Sequence, residues 1–443
     1  MTPVLPVNVL PPPEAPAVLP RRPEPESAAT AVGERTLLWK MGGPAIVLGL
    51  AAVAQLGLWI AVGRALPKAD VGVWVLAQSL VVTLSAIGLL GTANAWAAYF
   101  SRPGAERQDW RVSLRHRAVW GLPLTLAAAV LAFLWFRLPW LLSGLLLVAV
   151  LGFETKELFS TGLLRARRHY VMSALQQKLW IFLLAALLGG AWWLAGATLG
   201  AAIWALVIAL GLNAWLALRS AWRRVPPGCA PPARTVDRIA LGFWVVTLSL
   251  IVTRHVDRLM LLSFAGREPA ATYAMMMAIL GAYELSTAAT GHVLLPYCNA
   301  LVEVRLGRLL ALVGGLAAGL AVLYLGAADW IVGTLLRGKY ADGVPLIPLL
   351  VAVESVRLLG VVPGSLIGAR LGSYSLKLFS RANVGLALLT VGLLAWWVPL
   401  YGTWGSAAAL LVCECLRTAI GFALVFRFRR HLRPRGAPMT SDI

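Results

Sequence analysis

The chain has 443 residues, 59% of them hydrophobic and 13% charged, with a mean hydropathy of +0.78. Soluble domains are about a quarter charged, so this composition excludes a soluble globular enzyme and indicates a polytopic membrane protein. The formal net charge of +20 must then be read from where Lys and Arg lie relative to the spans, before any nucleic acid is invoked.

Residues 1–36 open the chain with a Pro-rich stretch, MTPVLPVNVLPPPEAPAVLPRRPEPES. It lacks the continuous apolar core of a signal peptide, and so many prolines forbid a helix. The expectation is a disordered cytoplasmic tail. Twelve apolar segments follow, each long enough to cross about 30 Å of hydrocarbon. The first six lie near 44–63, 71–98, 118–136, 140–161, 171–195 and 197–218. The second six lie near 239–263, 271–299, 309–332, 345–369, 375–398 and 403–426. Of the 39 Lys and Arg, 27 fall on one side of this array, 6 on the other and 6 within spans. The positive-inside rule therefore places both termini in the cytoplasm. It also explains the charge without nucleic acid. The loops on the outer side are short, which leaves no room for the sugar site of a membrane glycosyltransferase or polymerase. Cys229, Cys298, Cys413 and Cys415 form no disulfide framework and no zinc spacing, and are read as free thiols.

The longest inner connection, 219–238, contains VPPGCAPPA, a linker signal. It separates an N-terminal lobe, 37–218, from a C-terminal lobe, 239–426, with a basic cytoplasmic tail at 427–443. The halves resemble each other. ALPKADVGVWVLAQSL matches FAGREPAATYAMMMAI at an offset near 199, which pairs Lys68 with Arg267 and Trp74 with Tyr273. LLRARRHYVMSALQQKL matches LIGARLGSYSLKLFSRA near 203, and Glu154 has Glu354 as its counterpart. An even number of spans per half keeps both halves in one orientation. The implied architecture is all-α, with two six-helix lobes about a pseudo-twofold axis along the membrane normal and a cavity between them.

Three stretches carry a resemblance. ALPKADVGVWVLAQSLVVTLSAIGLLGTANAWAAYFSR resembles the span 1–2 signature of polysaccharide flippases of the MOP superfamily. VDRLMLLSFAGREPAATYAMMM is similar to their span 7–8 junction, and LLRGKYADGVPLIPLL to their span 9–10 junction. The resemblance spans about 37–426. It implies a non-enzymatic transporter in the bacterial inner membrane. The cargo would be an oligosaccharide on undecaprenyl pyrophosphate, moved to the outer leaflet for O-antigen or exopolysaccharide assembly, alongside membrane lipids and other assembly proteins. A MATE-like cation-coupled exporter is the leading alternative, although the acid often found in its first span is missing from GGPAIVLGLAAVAQLGLWIAVG. A membrane glycosyltransferase or polymerase, or a scaffold without transport, comes further behind.

Charges at bilayer depth cost several kcal/mol and so point to function. The cations are Lys156, Lys178, Arg254, Arg258, Arg357 and Arg417; the acids are Glu154, Glu157, Asp257, Glu284, Glu354 and Glu414. Arg254/Asp257, Glu354/Arg357 and Glu414/Arg417 are three apart and can pair on one helix face. The run TRHVDR leaves one of Arg254 and Arg258 without a compensating acid, free to meet a phosphate. Arg254 has Gln55 as its first-half counterpart, so this charge belongs to one lobe. Lys178 has no partner on its own helix. The expected substrate cations are Arg254, Arg258, Arg357, Lys178 and Arg417. Glu284, Glu354 and Asp257 are candidates for coupling to H⁺ or Na⁺, with the membrane potential as a further source. His292 reads as a packed polar residue. GTLLRGKY at 333–340 nearly spells a phosphate loop, but Tyr340 stands where a hydroxyl should hold Mg²⁺ and no βαβ unit follows. No nucleotide, metal or other cofactor is expected.

Overall fold

Every one of the twelve apolar segments falls on helix in a computed structural model that describes residues 34–100, 110–167, 169–225, 235–300, 306–370 and 373–428. The N-terminal Pro-rich tail, the linker around 226–234, Cys229 and most of the basic C-terminal tail lie outside these residues, as do the side chains of His292 and Cys298. Cys413 and Cys415 are free thiols. The described residues from Gly43 onward form one compact unit.

Its first half runs α1 (Glu34–Ala65), α2 (Lys68–Leu89), α3 (Thr92–Tyr99), α4 (Trp110–Trp135), α5 (Trp140–Glu157), α6 (Tyr170–Ala195) and α7 (Leu199–Arg224). A π-helical turn, Leu158–Leu164, extends α5. The second half runs α8 (Thr235–Phe264), α9 (Arg267–Ile279), α10 (Gly281–Ala300), α11 (Leu306–Leu335), a 3₁₀ turn (Ala341–Leu346), α12 (Ile347–Arg370) and α13 (Ser373–Arg427). Helix α13 is kinked at Gly402, whose φ of 58° needs a glycine, just after Pro399. That kink divides the two apolar segments expected at 375–398 and 403–426. Eight stretches among the described residues are long and apolar enough to cross a membrane.

The chain's breaks follow local chemistry. Pro67 precedes α2 and Pro139 precedes α5, each with extended ψ, as a residue that cannot donate to a preceding turn should. Thr198 caps α7 by accepting from the Ala201 N–H at 3.2 Å. Arg223 and Arg224 close the same helix, where cations suit its dipole. Inside the helices, Ser85, Ser160 and Thr390 donate to carbonyls one turn back, at 2.5, 2.6 and 2.7 Å. Hydroxyls are thereby satisfied without water.

The repeat is visible in the backbone. Lys68 and Arg267 each begin a helix. Helices α4 and α11 end at Trp135 and Leu335, and each is followed two residues later by an arginine in the left-handed region, Arg137 (φ 48°) and Arg337 (φ 53°). Two lobes result, meeting along α2, α8 and α9. Gly72 makes this approach possible, since a Cβ there would lie 2.4 Å from the Arg267 carbonyl oxygen. The outward faces remain apolar. Trp120, Leu131, Leu134, Leu312, Val322 and Trp330 are all exposed, an arrangement suited to lipid rather than water. The protein is a multi-pass membrane protein.

Candidate functional site

Between the lobes lies a cavity of about 290 Å³. Helices α1, α2, α5, α6 and α7 form one wall, and α8, α9 and α10 the other. The second wall is apolar (Ala274, Met277, Ala278, Leu285) except where His255, Arg258 and Glu284 enter it. Arg258 Nε and His255 Nδ1 are buried without a hydrogen-bond partner. Glu284 is exposed and makes no ion pair among the described residues.

The first wall carries Lys156, Glu157 and Lys178. The Lys156 ammonium donates to Glu157 Oε1 at 2.6 Å and to the Gln177 carbonyl at 3.0 Å, and lies 4.0 Å from the centre of the Phe153 ring. Thr161 donates to the other Glu157 oxygen at 2.6 Å. Lys178 lies within electrostatic reach of both Lys156 and Glu157 but forms no direct ion pair among the described residues. The π-helical turn begins at the next residue, Leu158. Such turns often accompany functional sites, because the wider coil re-aims the side chains around it.

The sequence-derived candidates separate into two groups. Arg258, Lys178 and Glu284 reach the cavity wall. Arg357 and Arg417 do not. Arg357 pairs with Glu354 and reaches Glu414 Oε1 at 3.1 Å through Nε. Arg417 places Nη1 2.8 Å from each Glu414 oxygen. The reason is that α12 and α13 pack together, so the acid on one helix is within reach of the arginine on the other, and both arginines are paired with protein carboxylates in this structure. Glu354 is likewise held in this cluster rather than presented to the cavity. The Arg254–Asp257 pair is also not formed. Asp257 is buried and accepts a 2.9 Å hydrogen bond from the Tyr273 hydroxyl of α9. Arg254 is exposed, and the charges it feels are Arg357, Glu284, Glu414 and Glu354. It therefore feels both the ionic cluster and Glu284, and it forms no direct ion pair among the described residues.

One buried ion pair was hidden from the sequence. Arg117, which reads as a loop charge, reaches in to Glu154, whose other oxygen accepts from Thr125 at 2.8 Å. Nothing in the spacing signals it, because α4 and α5 meet only in the fold.

The lobes are tied at the end carrying the short loops. Arg64 donates to the carbonyls of Leu335 and Thr334, both at 2.6 Å. Lys68 meets Asp342 at 2.8 Å, and Trp135 Nε1 donates to Ser263 at 3.2 Å. Lys339 donates to the Gly63 carbonyl at 3.0 Å and to that of Leu66. Burial, with Lys68 nearby, holds its ammonium below the usual lysine range. The near-phosphate-loop GTLLRGKY thus forms an interlobe latch. At the other end Asn94 donates to Thr247 at 3.1 Å.

No family model matches the sequence, and no curated protein matches it. Solved structures do share the fold. A MOP superfamily transporter from Pyrococcus furiosus, described by the reverse polarity of its binding pocket, aligns with a TM-score of 0.57 at 15% identity, covering 89% of this chain and 95% of that one. An inward-facing MATE multidrug transporter aligns at 0.58 and 14% over 89% and 100%. An outward-facing one aligns at 0.56 and 15% over 89% and 94%.

Proposed function

We propose that the protein is an alternating-access exporter of the MOP plan, in a bacterial inner membrane, whose cargo bears an anionic head group. The fold likeness to multidrug exporters supports export from the membrane or cytoplasm. The observation that carries the anionic reading is Arg258, a cavity-wall guanidinium whose Nε has no hydrogen-bond partner among the described residues. A buried donor left unpaired costs about 1–3 kcal/mol, which a ligand phosphate would recover through a charge-assisted bond. Lys178 faces the same space. At about 290 Å³ the cavity is at the small end of ligand pockets, so it would enclose the head of a lipid-borne substrate and leave its chain outside. A lipid-linked oligosaccharide on a polyprenyl pyrophosphate meets these requirements and agrees with the flippase resemblance of the sequence.

A second reading, a cation-coupled exporter of small molecules, is favoured by the same solved structures and by the unpaired carboxylate of Glu284 in the cavity. The two differ in the charge that binds. Purified protein in nanodiscs is titrated with undecaprenyl pyrophosphate and, separately, with ethidium as a lipophilic cation. The flippase reading expects saturable binding of the pyrophosphate that Arg258→Gln weakens and that excess ethidium leaves unchanged. Tight ethidium binding lost in Glu284→Gln, with none for the pyrophosphate, would replace it with the second reading.

A further inference from the structure

The two cavity walls differ in chemistry. Charge enters the C-terminal wall through Arg258 and Glu284, whereas the N-terminal wall carries neutral hydrogen-bonding groups as well as its lysines. Gln55 of α1, Gln78 of α2 and Gln177 of α6 all line the cavity, and none of their side-chain amides has a hydrogen-bond partner among the described residues. Beside Gln78, Ser79 also borders the cavity. Ser79 is 1% exposed, and its oxygen has no hydrogen-bond partner among the described residues. In a helix a serine normally donates to the carbonyl one turn back, as Ser85 does on the same helix. A buried polar atom left open is rare, and points to a ligand or water that completes it. Trp59 and Trp180 border the same wall.

We propose that Gln55, Gln78, Ser79 and Gln177 form a hydroxyl-recognising subsite that binds the sugar nearest the phosphate, while Arg258 holds the phosphate from the opposite lobe. Each amide offers both donors and an acceptor, the pattern that a ring of hydroxyls demands, since each hydroxyl donates and accepts. Apolar drugs or bare acyl chains would leave these groups unpaired. The assignment of the phosphate to Arg258 rests on the exporter reading above; the hydroxyl subsite rests on the amides and Ser79 alone.

Two lipid probes separate these ideas: a polyprenyl monophosphate, and the same lipid bearing one glucosyl, galactosyl or N-acetylglucosaminyl residue. Binding is measured on the full chain in nanodiscs. At least one glycosylated probe should bind more tightly than the bare phosphate. Gln55→Leu, Gln78→Leu and Ser79→Ala should each remove about 2- to 10-fold of that advantage, the worth of one neutral hydrogen bond, and leave bare-phosphate affinity unchanged. Gln78→Asn should restore part of the loss, and its folding is checked by thermal melting. Arg258→Gln should weaken bare and glycosylated probes alike. The subsite is overturned if no sugar improves binding, or if the amide variants weaken both classes of probe equally. If Arg258→Gln changes nothing while the amide variants still erase the sugar preference, the anionic reading fails and the subsite stands.

Discussion

Arg258 and Arg254 sit one helical turn apart, yet the fold gives them different surroundings. Arg258 lies on the cavity wall with an unpartnered Nε, so Arg258→Gln should weaken binding of a polyprenyl pyrophosphate by roughly 10- to 150-fold, the range of one charge-assisted bond. Arg258→Lys should recover part of this, because the charge survives without the planar fork. For Arg254 the sequence suggested relief by Asp257, and in that case neutralising both would restore the protein. The structure turns Asp257 toward Tyr273 instead. Arg254→Gln combined with Asp257→Asn should therefore behave no better in a transport assay than Arg254→Gln alone. Full recovery would show that the two groups do pair. The buried Arg117–Glu154 pair is different in kind. Gly88 leaves room for it, since a Cβ there would meet both Thr125 and Glu154. Arg117→Met alone strands a carboxylate that is fully buried, and should lower thermal stability by about 3–5 kcal/mol. Arg117→Met with Glu154→Leu, which removes both charges, should melt closer to the parent.

Among the elements, the latch between the α1–α2 turn and the α11–3₁₀ turn makes the sharpest claim. Its one exposed ion pair, Lys68–Asp342, is worth about 0–1 kcal/mol. Arg64 and Lys339, by contrast, reach across to backbone carbonyls of the other lobe. Bonds from charged donors are worth about 1.5–3 kcal/mol each. Lys339→Met should thus shift the lobes toward separation at this end by about tenfold or more, whereas Lys68→Ala should barely move them. Spin labels at Ala65 and Asp329, both exposed, report that distance, and an unchanged distribution in Lys339→Met would leave the latch without a gating role. None of this could be read from the chain. The apolar segments showed the helices, because roughly twenty apolar residues have one stable use in a bilayer. The 199-residue offset showed the repeat, and Lys68 and Arg267 do begin equivalent helices. Partner choice across helices was not legible: Arg357 met Glu414 of α13, and Arg117 met Glu154 of α5, because register and rotation are set by packing that no spacing rule encodes. The latch role of GTLLRGKY was equally hidden, because it depends on where Gly63 and Leu66 lie in the opposite lobe.

At the scale of the whole molecule, sidedness comes first. If the loops rich in Lys and Arg face the cytoplasm, single cysteines placed within 104–109 or 226–233 should resist membrane-impermeant thiol reagents in intact cells, and the latch then closes the outer end. Ready labelling of both would invert the molecule and place the latch inside. Energy coupling is the remaining question, and Glu284 is where two features of the fold meet. It stands on the cavity wall, open to whatever enters there. It also lies within electrostatic reach of Arg254 and Glu354, and through Glu354 of the ionic cluster of α12 and α13. A cation arriving at Glu284 would weaken its attraction for Arg254 and leave that arginine to the acids of the cluster, which links an event in the cavity to the packing of the C-terminal lobe. A ligand shifts a conformational equilibrium only by its differential affinity for the two states, and such a competition for Arg254 would supply one. Glu284→Gln should therefore give a protein of normal abundance whose transport in proteoliposomes no longer responds to an imposed pH or Na⁺ gradient. Persistence of the parent's gradient response in that variant would remove Glu284 from coupling and leave it a spectator on the cavity wall.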